Sequence, residues 1–319
     1  MDSSDVQRRL LELPKNILAS GIAWSWGAMA FNNLDVLRVR WQVTPGAVKL
    51  HGGSVRSFTG QIVAQEGFLR GLCLPGVTAN VAFCTMNGAV RVGAYPVIRD
   101  SVAPFVGRGT ADAPQTMLAA GLLSGAVGYF IPTPFQLLKV RLQGIDAGLV
   151  CSTTGRLTTG VRAGEIPLYR SLRVGLQRVY AREGVKGLWR GGSALTFRGS
   201  LHSAGHLCGY DTTKTEMKRR GIMADGPALH VVASIIGAFW AVTLSVGPDN
   251  VMSRFMTASD VGVTYSGPLE CARQLIASEG IGVLGRGWTP FFMRMAPIFT
   301  VQMTIYEQCR RLLGLSYME

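Results

Sequence analysis

The chain has 319 residues, is 48% hydrophobic and 16% charged, and carries a formal net charge of +13 with a mean hydropathy of +0.25. Length alone allows two soluble domains, but charge this sparse and this unevenly spread argues against them. Nucleic acid is excluded as a partner because no basic cluster is interleaved with exposed aromatics, and the six cysteines show neither metal-ligand nor disulfide spacing.

The first fifteen residues, MDSSDVQRRLLELPK, mix acids with bases and hold no compact apolar core, so neither a signal nor a transit peptide is expected. Residues 1–16 read as a tail. Residues 17–34 contain no Asp, Glu, Lys or Arg, and neither do 114–138 and 226–248. Each such run is long enough to read as a membrane span. Three further apolar stretches, near 77–98, 192–210 and 288–306, are interrupted by Arg91, Arg198 and Arg294. Six spans are therefore expected, three clean and three carrying an arginine. Within the first run, Gly21 and Gly27 are expected to let another helix approach closely, and Gly121 and Gly125 form a GxxxG in the second. Pro132 and Pro134 predict a kink there, since proline removes a backbone donor and crowds the preceding turn.

The chain repeats itself. Glu183–Lys214 returns without a gap as Glu279–Arg310, so that Arg198 falls on Arg294, Tyr210-Asp211 on Tyr306-Glu307 and Lys214 on Arg310. Each uncharged run leads into a polar connection, a short amphipathic piece and a Glu-Gly pair: Glu66-Gly67, Glu183-Gly184 and Glu279-Gly280. The second connection is longer than the others by about sixteen residues, around Cys151–Glu165, and its Gly, Thr and Ser content predicts a flexible solvent loop rather than a site. These elements divide the chain into repeats over 17–112, 113–222 and 223–314, with a tail at 315–319.

The uncharged runs end in variants of one pattern, proline-x-acid-x-x-base-x-base, sometimes followed by glutamine. Pro134-Phe-Gln136-Leu-Leu-Lys139-Val-Arg141-Leu-Gln143 is close to complete; Asn33 replaces proline before Asp35, Arg38, Arg40 and Gln42. Gly247 and Met252 are the departures around Asp249 and Arg254. With the Glu-Gly and Arg-Gly elements and the Tyr-acid-x-x-base endings, the sequence resembles the mitochondrial carrier family over about residues 17–314. Within it, Met86-Asn87-Gly88, Arg91-x-Gly93-x-Tyr95 and Gly187-Leu188-Trp189-Arg190-Gly191, with Gln136 and Met252, are most similar to the oxaloacetate/sulfate (dicarboxylate) carrier branch.

The resemblance implies an all-α membrane protein. Six transmembrane helices would form three tandem pseudo-symmetric repeats with three short matrix-side helices, as a monomer in the mitochondrial inner membrane. It implies no enzyme activity, cofactor or metal. It further implies alternating access between two sets of latches. The matrix gate would comprise Asp35 with Lys139, Asp249 with Arg38, and Gln136 facing Met252, an acid and its base lost together. The cytosolic gate would comprise Arg99, Asp211, Lys214, Glu307 and Arg310, joining Asp211 to Arg310 and Glu307 to Arg99, while Pro96 removes one acid of the pattern. Contact positions twelve residues before each tyrosine give Phe83, Arg198 and Arg294, with Asn87, His202 and Arg91 further along. Arg190-Gly191 and Arg286-Gly287 would touch membrane lipid, cardiolipin in particular, or simply start basic helices near the headgroups.

An arginine at mid-membrane costs about 2.5–3.5 kcal/mol and usually faces a wet cavity. Its flat fork matches a carboxylate or sulfate. The expected function is therefore a secondary transporter of small anionic metabolites, a dicarboxylate or keto acid such as oxaloacetate or a sulfate-like oxyanion, by exchange or with protons. A carrier of a tricarboxylate or amino acid, and a non-transporting scaffold that keeps the fold, are the alternatives. The second rests on the degenerate first repeat, where Cys73-Leu74-Pro75 stands for Trp189-Arg190-Gly191.

Overall fold

A computed structural model describes residues 3–106, 114–223 and 226–314. Thirteen α-helices follow in order among them. In the first repeat these are α1 (Ser3–Ala30), α2 (Asn32–Val43), the single turn α3 (Ala47–Leu50), α4 (Val55–Glu66), α5 (Val77–Gly88) and α6 (Tyr95–Val106). The second has α7 (Pro114–Phe130), α8 (Thr133–Gly144), α9 (Leu172–Leu188) and α10 (Gly192–Arg219). The third has α11 (Pro227–Thr257), α12 (Pro268–Glu279) and α13 (Trp288–Leu312). The only extended pairing among the described residues is an isolated bridge between Val150 and Leu157. Six legs result: α1 with α2, α5 with α6, α7 with α8, then α10, α11 and α13. The amphipathic helices α4, α9 and α12 join them at one end.

The uncharged runs do not map onto six simple spans. The run 17–34 crosses a break at Phe31, and 114–138 crosses one at Ile131–Pro132. Pro134 then sits in the first turn of α8, where its missing N–H costs nothing. Only 228–261, with mean hydropathy 1.9, is by itself long and apolar enough to cross a bilayer among the described residues. The other legs are broken, or carry the charges that the interior uses.

Burial is arranged inside out. Asp35, Arg38, Lys139, Arg141, Asp249, Arg198 and Arg294 are all buried, whereas Leu18, Ile22, Met29, Leu122, Phe197, Leu207, Trp240, Leu244 and Met293 are exposed. An apolar exterior around a charged interior is the distribution that a lipid solvent selects. Small residues bring the legs together where expected in part. A Cβ on Gly21 would lie 3.1 Å from Thr85, and one on Gly205 would meet the Ala241 and Trp240 backbone at 2.8 Å, so α10 and α11 touch backbone to backbone. Gly121 and Gly125 depart from expectation: both face open space, and their GxxxG packs against none of the described residues.

Each even leg starts on a glycine in the left-handed region, Gly76 (φ 61°), Gly191 (φ 81°) and Gly287 (φ 81°). That corrects the alignment of the first repeat. Gly76, not Pro75, is the counterpart of Gly191, and Pro75 occupies the arginine's place. The extra chain is absorbed by a wide π turn, Leu69–Cys73, a common home for an inserted residue. Asn32 holds this irregular joint by donating to the Cys73 and Pro75 carbonyls at 2.7 and 3.1 Å. A second π turn, Ala89–Gly93, precedes Pro96, which cannot donate the next helical hydrogen bond.

The long connection between α8 and α9 is packed rather than loose. Leu157, Leu168 and Tyr169 are buried, Arg162 pairs with Asp146 at 3.3 Å and with Glu165, and the Tyr169 N–H donates to Asp146.

Candidate functional site

Phe83, Arg198 and Arg294 sit at the same step from the three glycine caps, so the three even legs present them at one level. They line a single cavity of about 110 Å³ together with Asn87, Arg91 and His202, which brings all six expected contact residues together. The cavity also includes Trp24, Tyr129, Ser203 and Phe299, which the sequence reading did not single out. Arg91 donates to Tyr129 Oη at 3.2 Å and to Ser203 Oγ at 2.7 Å. His202 shares a hydrogen bond with Ser245 (3.1 Å) and stacks on Phe291 at 5.6 Å. Asn87 donates to the Gly128 carbonyl at 2.8 Å.

The floor of the cavity is formed by residues expected at the matrix gate. Asp35 is wholly buried and is met by Lys139 Nζ at 2.5 Å, Arg38 Nη2 at 2.9 Å and Arg294 Nη1 at 3.0 Å. Asp249, also wholly buried, is met by Arg38 Nη1 at 3.2 Å, Arg198 Nε at 3.2 Å and Gln42 Nε2 at 2.9 Å. The Asp35–Lys139 and Asp249–Arg38 pairs are thus both made. The contact arginines are not suspended between the two gates, as the sequence reading placed them. Each is drawn down onto a gate carboxylate, because a cation this deep is stable only against an anion. Four cations meet two carboxylates here, leaving two positive charges in excess. Gln136 lines the cavity, while Met252 is wholly buried in the apolar cluster with Leu137, Leu138 and Met256.

At the opposite end the expected Asp211–Arg310 pair is not made. Asp211 is exposed, and Arg310 donates to Asn16 Oδ1 at 2.8 Å. Arg99 lies 3.9 Å from Asp100, and Lys214 is half-buried; the Glu307 side chain lies outside the described residues. Among the described residues, two of the expected pairs are made at the cavity floor, and the Asp211–Arg310 pair is not.

Arg190 pairs with Glu183 at 3.6 Å and lies over Phe255, and Arg286 pairs with Glu279. Gly191 and Gly287 serve as left-handed helix caps.

A set of brackets escaped the sequence reading. The last base of each motif reaches the Glu of its own Glu-Gly pair: Arg40 to Glu66 at 2.5 and 2.6 Å, Arg141 to Glu183 at 2.6 Å, and Arg254 to Glu279 at 3.2 Å. The threefold recurrence of both residues was the available signal. Arg141 does more, bonding the Met256 carbonyl (2.9 Å), Ser259 Oγ (3.0 Å) and Asp260 (3.3 Å) on the third repeat. Tyr169 donates to the same Asp260 at 2.6 Å. The seam between repeats two and three, which lacks an ionic pair at Gln136 and Met252, is joined by Arg141 and Tyr169 on Asp260 instead.

Comparison with known proteins agrees with this geometry. The family model described as "Mitochondrial carrier protein" matches three successive segments, residues 10–104, 111–221 and 224–317. The chain is 27% identical over 303 residues to the "Mitochondrial substrate carrier family protein ucpB" of Dictyostelium discoideum, covering 93% of this chain and 95% of that protein. It is 30% identical to "Mitochondrial uncoupling protein 5" of Arabidopsis thaliana (79% and 76% covered). It is 27% identical to the "Mitochondrial oxaloacetate transport protein" of Saccharomyces cerevisiae (93% and 89% covered). With three matches in tandem over nearly its whole length, an all-α build and its polar groups gathered around a central cavity, the chain belongs to the mitochondrial carrier family, as a multi-pass transporter of the mitochondrial inner membrane.

Proposed function

We propose that the protein carries a small dianionic metabolite, a dicarboxylate or a sulfate-like oxyanion, by alternating access. One observation carries the reading: Arg38, Lys139, Arg198 and Arg294 outnumber Asp35 and Asp249 by two charges at the cavity floor. A dianion neutralises that excess. Its two anionic ends compete with Asp249 for Arg198 and with Asp35 for Arg294, and so act on the same carboxylates that latch the matrix end. Phe83, with Lys139 Nζ 5.7 Å from its ring centre, supplies an apolar wall. The yeast oxaloacetate relative points the same way, although relatives named for citrate and uncoupling match over similar lengths.

The test is uptake of labelled solutes by purified protein in liposomes, across dicarboxylates, sulfate, tricarboxylates and amino acids. Saturable uptake of a dianion, with KM raised about tenfold or more by Arg198→Lys, is expected, since lysine offers no flat fork. Uptake confined to a tricarboxylate would instead favour a role for Arg91 as a third cation. No uptake of any solute would favour the scaffold reading.

A further inference from the structure

Gln136 stands where the motif calls for an acid, and its partner base is Met252. Loss of both members would leave an inert remnant if Gln136 were packed away, but it is not. It lies on α8, is only 2% exposed and lines the cavity beside Lys139 and Phe83. Its Oε1 is fully buried and has no hydrogen-bond partner, and no side-chain bond of the amide to any described residue is present. A buried acceptor without a partner costs about 1–3 kcal/mol, and native structures retain few of them. The neighbouring cations meet carboxylates instead of Gln136: Lys139 and Arg294 on Asp35, Arg198 on Asp249, and Arg38 on both. All of those groups are cations that bind anionic oxygen. Gln136 differs from them as a neutral amide, with one acceptor and a pair of donors, and the other amide at this floor, Gln42, is already bonded to Asp249.

We propose that Gln136 is a specificity-determining residue that reads an oxygen substituent on the cargo, selecting dicarboxylates with a hydroxyl or keto group between their carboxylates over unsubstituted ones. The inference rests on the dianion reading above. With the carboxylates held by Arg198 and Arg294, the amide faces the chain between them. Its oxygen accepts from a hydroxyl, and its NH2 donates to a keto oxygen. An unsubstituted chain satisfies neither and leaves the amide dry.

The experiment measures liposome uptake of three four-carbon dicarboxylates, bearing a 2-hydroxyl, a 2-keto group or neither, by wild type and by Gln136→Met, which keeps the side-chain volume. The wild type is expected to show a KM about tenfold lower for the substituted pair, the effect of one buried hydrogen bond. Gln136→Met is expected to bring the three within about twofold of one another. A merely structural role would shift all three KM values together and preserve their ratios, which would overturn the proposal. So would a water that satisfies the amide alike for every cargo, because the wild type would then not discriminate. If Gln136→Met does not fold, thermal stabilisation of the wild-type protein by the three compounds decides: equal shifts overturn the proposal, and larger shifts from the substituted pair support it. Transport of other solutes with no dicarboxylate among them would sink the dianion reading itself, a different outcome from dicarboxylate transport without selectivity.

Discussion

Neutralising Asp35 is the sharpest test of the matrix latch. In Asp35→Asn the geometry of the side chain is kept, but Arg38, Lys139 and Arg294, at 2.9, 2.5 and 3.0 Å, lose their shared counter-charge. The excess at the floor rises from two positive charges to three. Removing one partner of a buried ion pair costs about 3–5 kcal/mol, and asparagine's residual hydrogen bonding places this change near 3. The cost falls on the matrix-closed arrangement, since the pairs are absent once that end parts. About 3 kcal/mol moves the closed-to-open ratio roughly a hundredfold. It lowers the unfolding midpoint of the purified protein by about 6 °C, at about 2 °C per kcal/mol for a chain of this size. Cys84 lines the cavity and reports the change directly. A membrane-impermeant maleimide supplied at the matrix end, with labelled peptides identified by mass, should modify Cys84 much faster in Asp35→Asn than in wild type. Asp211→Asn is the control, because Asp211 is exposed and its pair with Arg310 is not made. Equal effects of the two substitutions on melting and on Cys84 labelling would refute the reasoning.

Asp260→Asn removes the outer join that Arg141 and Tyr169 make across repeats two and three. Arg141 keeps Glu183, Ser259 and the Met256 carbonyl, so the expected loss is about 1–2 kcal/mol, seen as a melting shift smaller than that of Asp35→Asn. Gly205→Val should abolish folded protein or cost at least about 1–3 kcal/mol by forcing α10 from α11, whereas Gly121→Ala should leave melting and uptake unchanged. Hydrogen bonding, first from the Thr153 side chain, lowers the Cys151 thiol to about 6, while burial pushes Cys271 up to about 11. Alkylation of Cys151 should therefore rise through pH 6 and level off by neutral pH, with Cys271 unreactive throughout that range; Thr153→Val should move the Cys151 midpoint upward.

Much of this was legible in the sequence because it is periodic. The spacing from each tyrosine back to Phe83, Arg198 and Arg294 located three side chains that the even legs do present at one level, and the motif acids and bases located the pairs Asp35–Lys139 and Asp249–Arg38. What was not legible depends on where chain is added or where a side chain turns. Counting residues could not reveal that a π turn absorbs extra chain before Gly76, since helical register changes without any change in composition. Nor could it show that Arg190 and Arg286 fold back on Glu183 and Glu279, or that Arg198 and Arg294 reach the gate. A long side chain on a correctly placed Cα still spans several ångströms in any of several directions. The GxxxG at Gly121 failed for a related reason: small residues permit a close neighbour but do not supply one.

The link from Arg141 to Asp260 bears on the shape of the movement. Two of the three boundaries between repeats carry an ion pair at the cavity floor, on Asp35 and on Asp249. The third has none at that level and is held by Arg141 and Tyr169 meeting on Asp260. A change of charge at the floor should therefore loosen both boundaries of the first repeat and leave the one between the second and third in place.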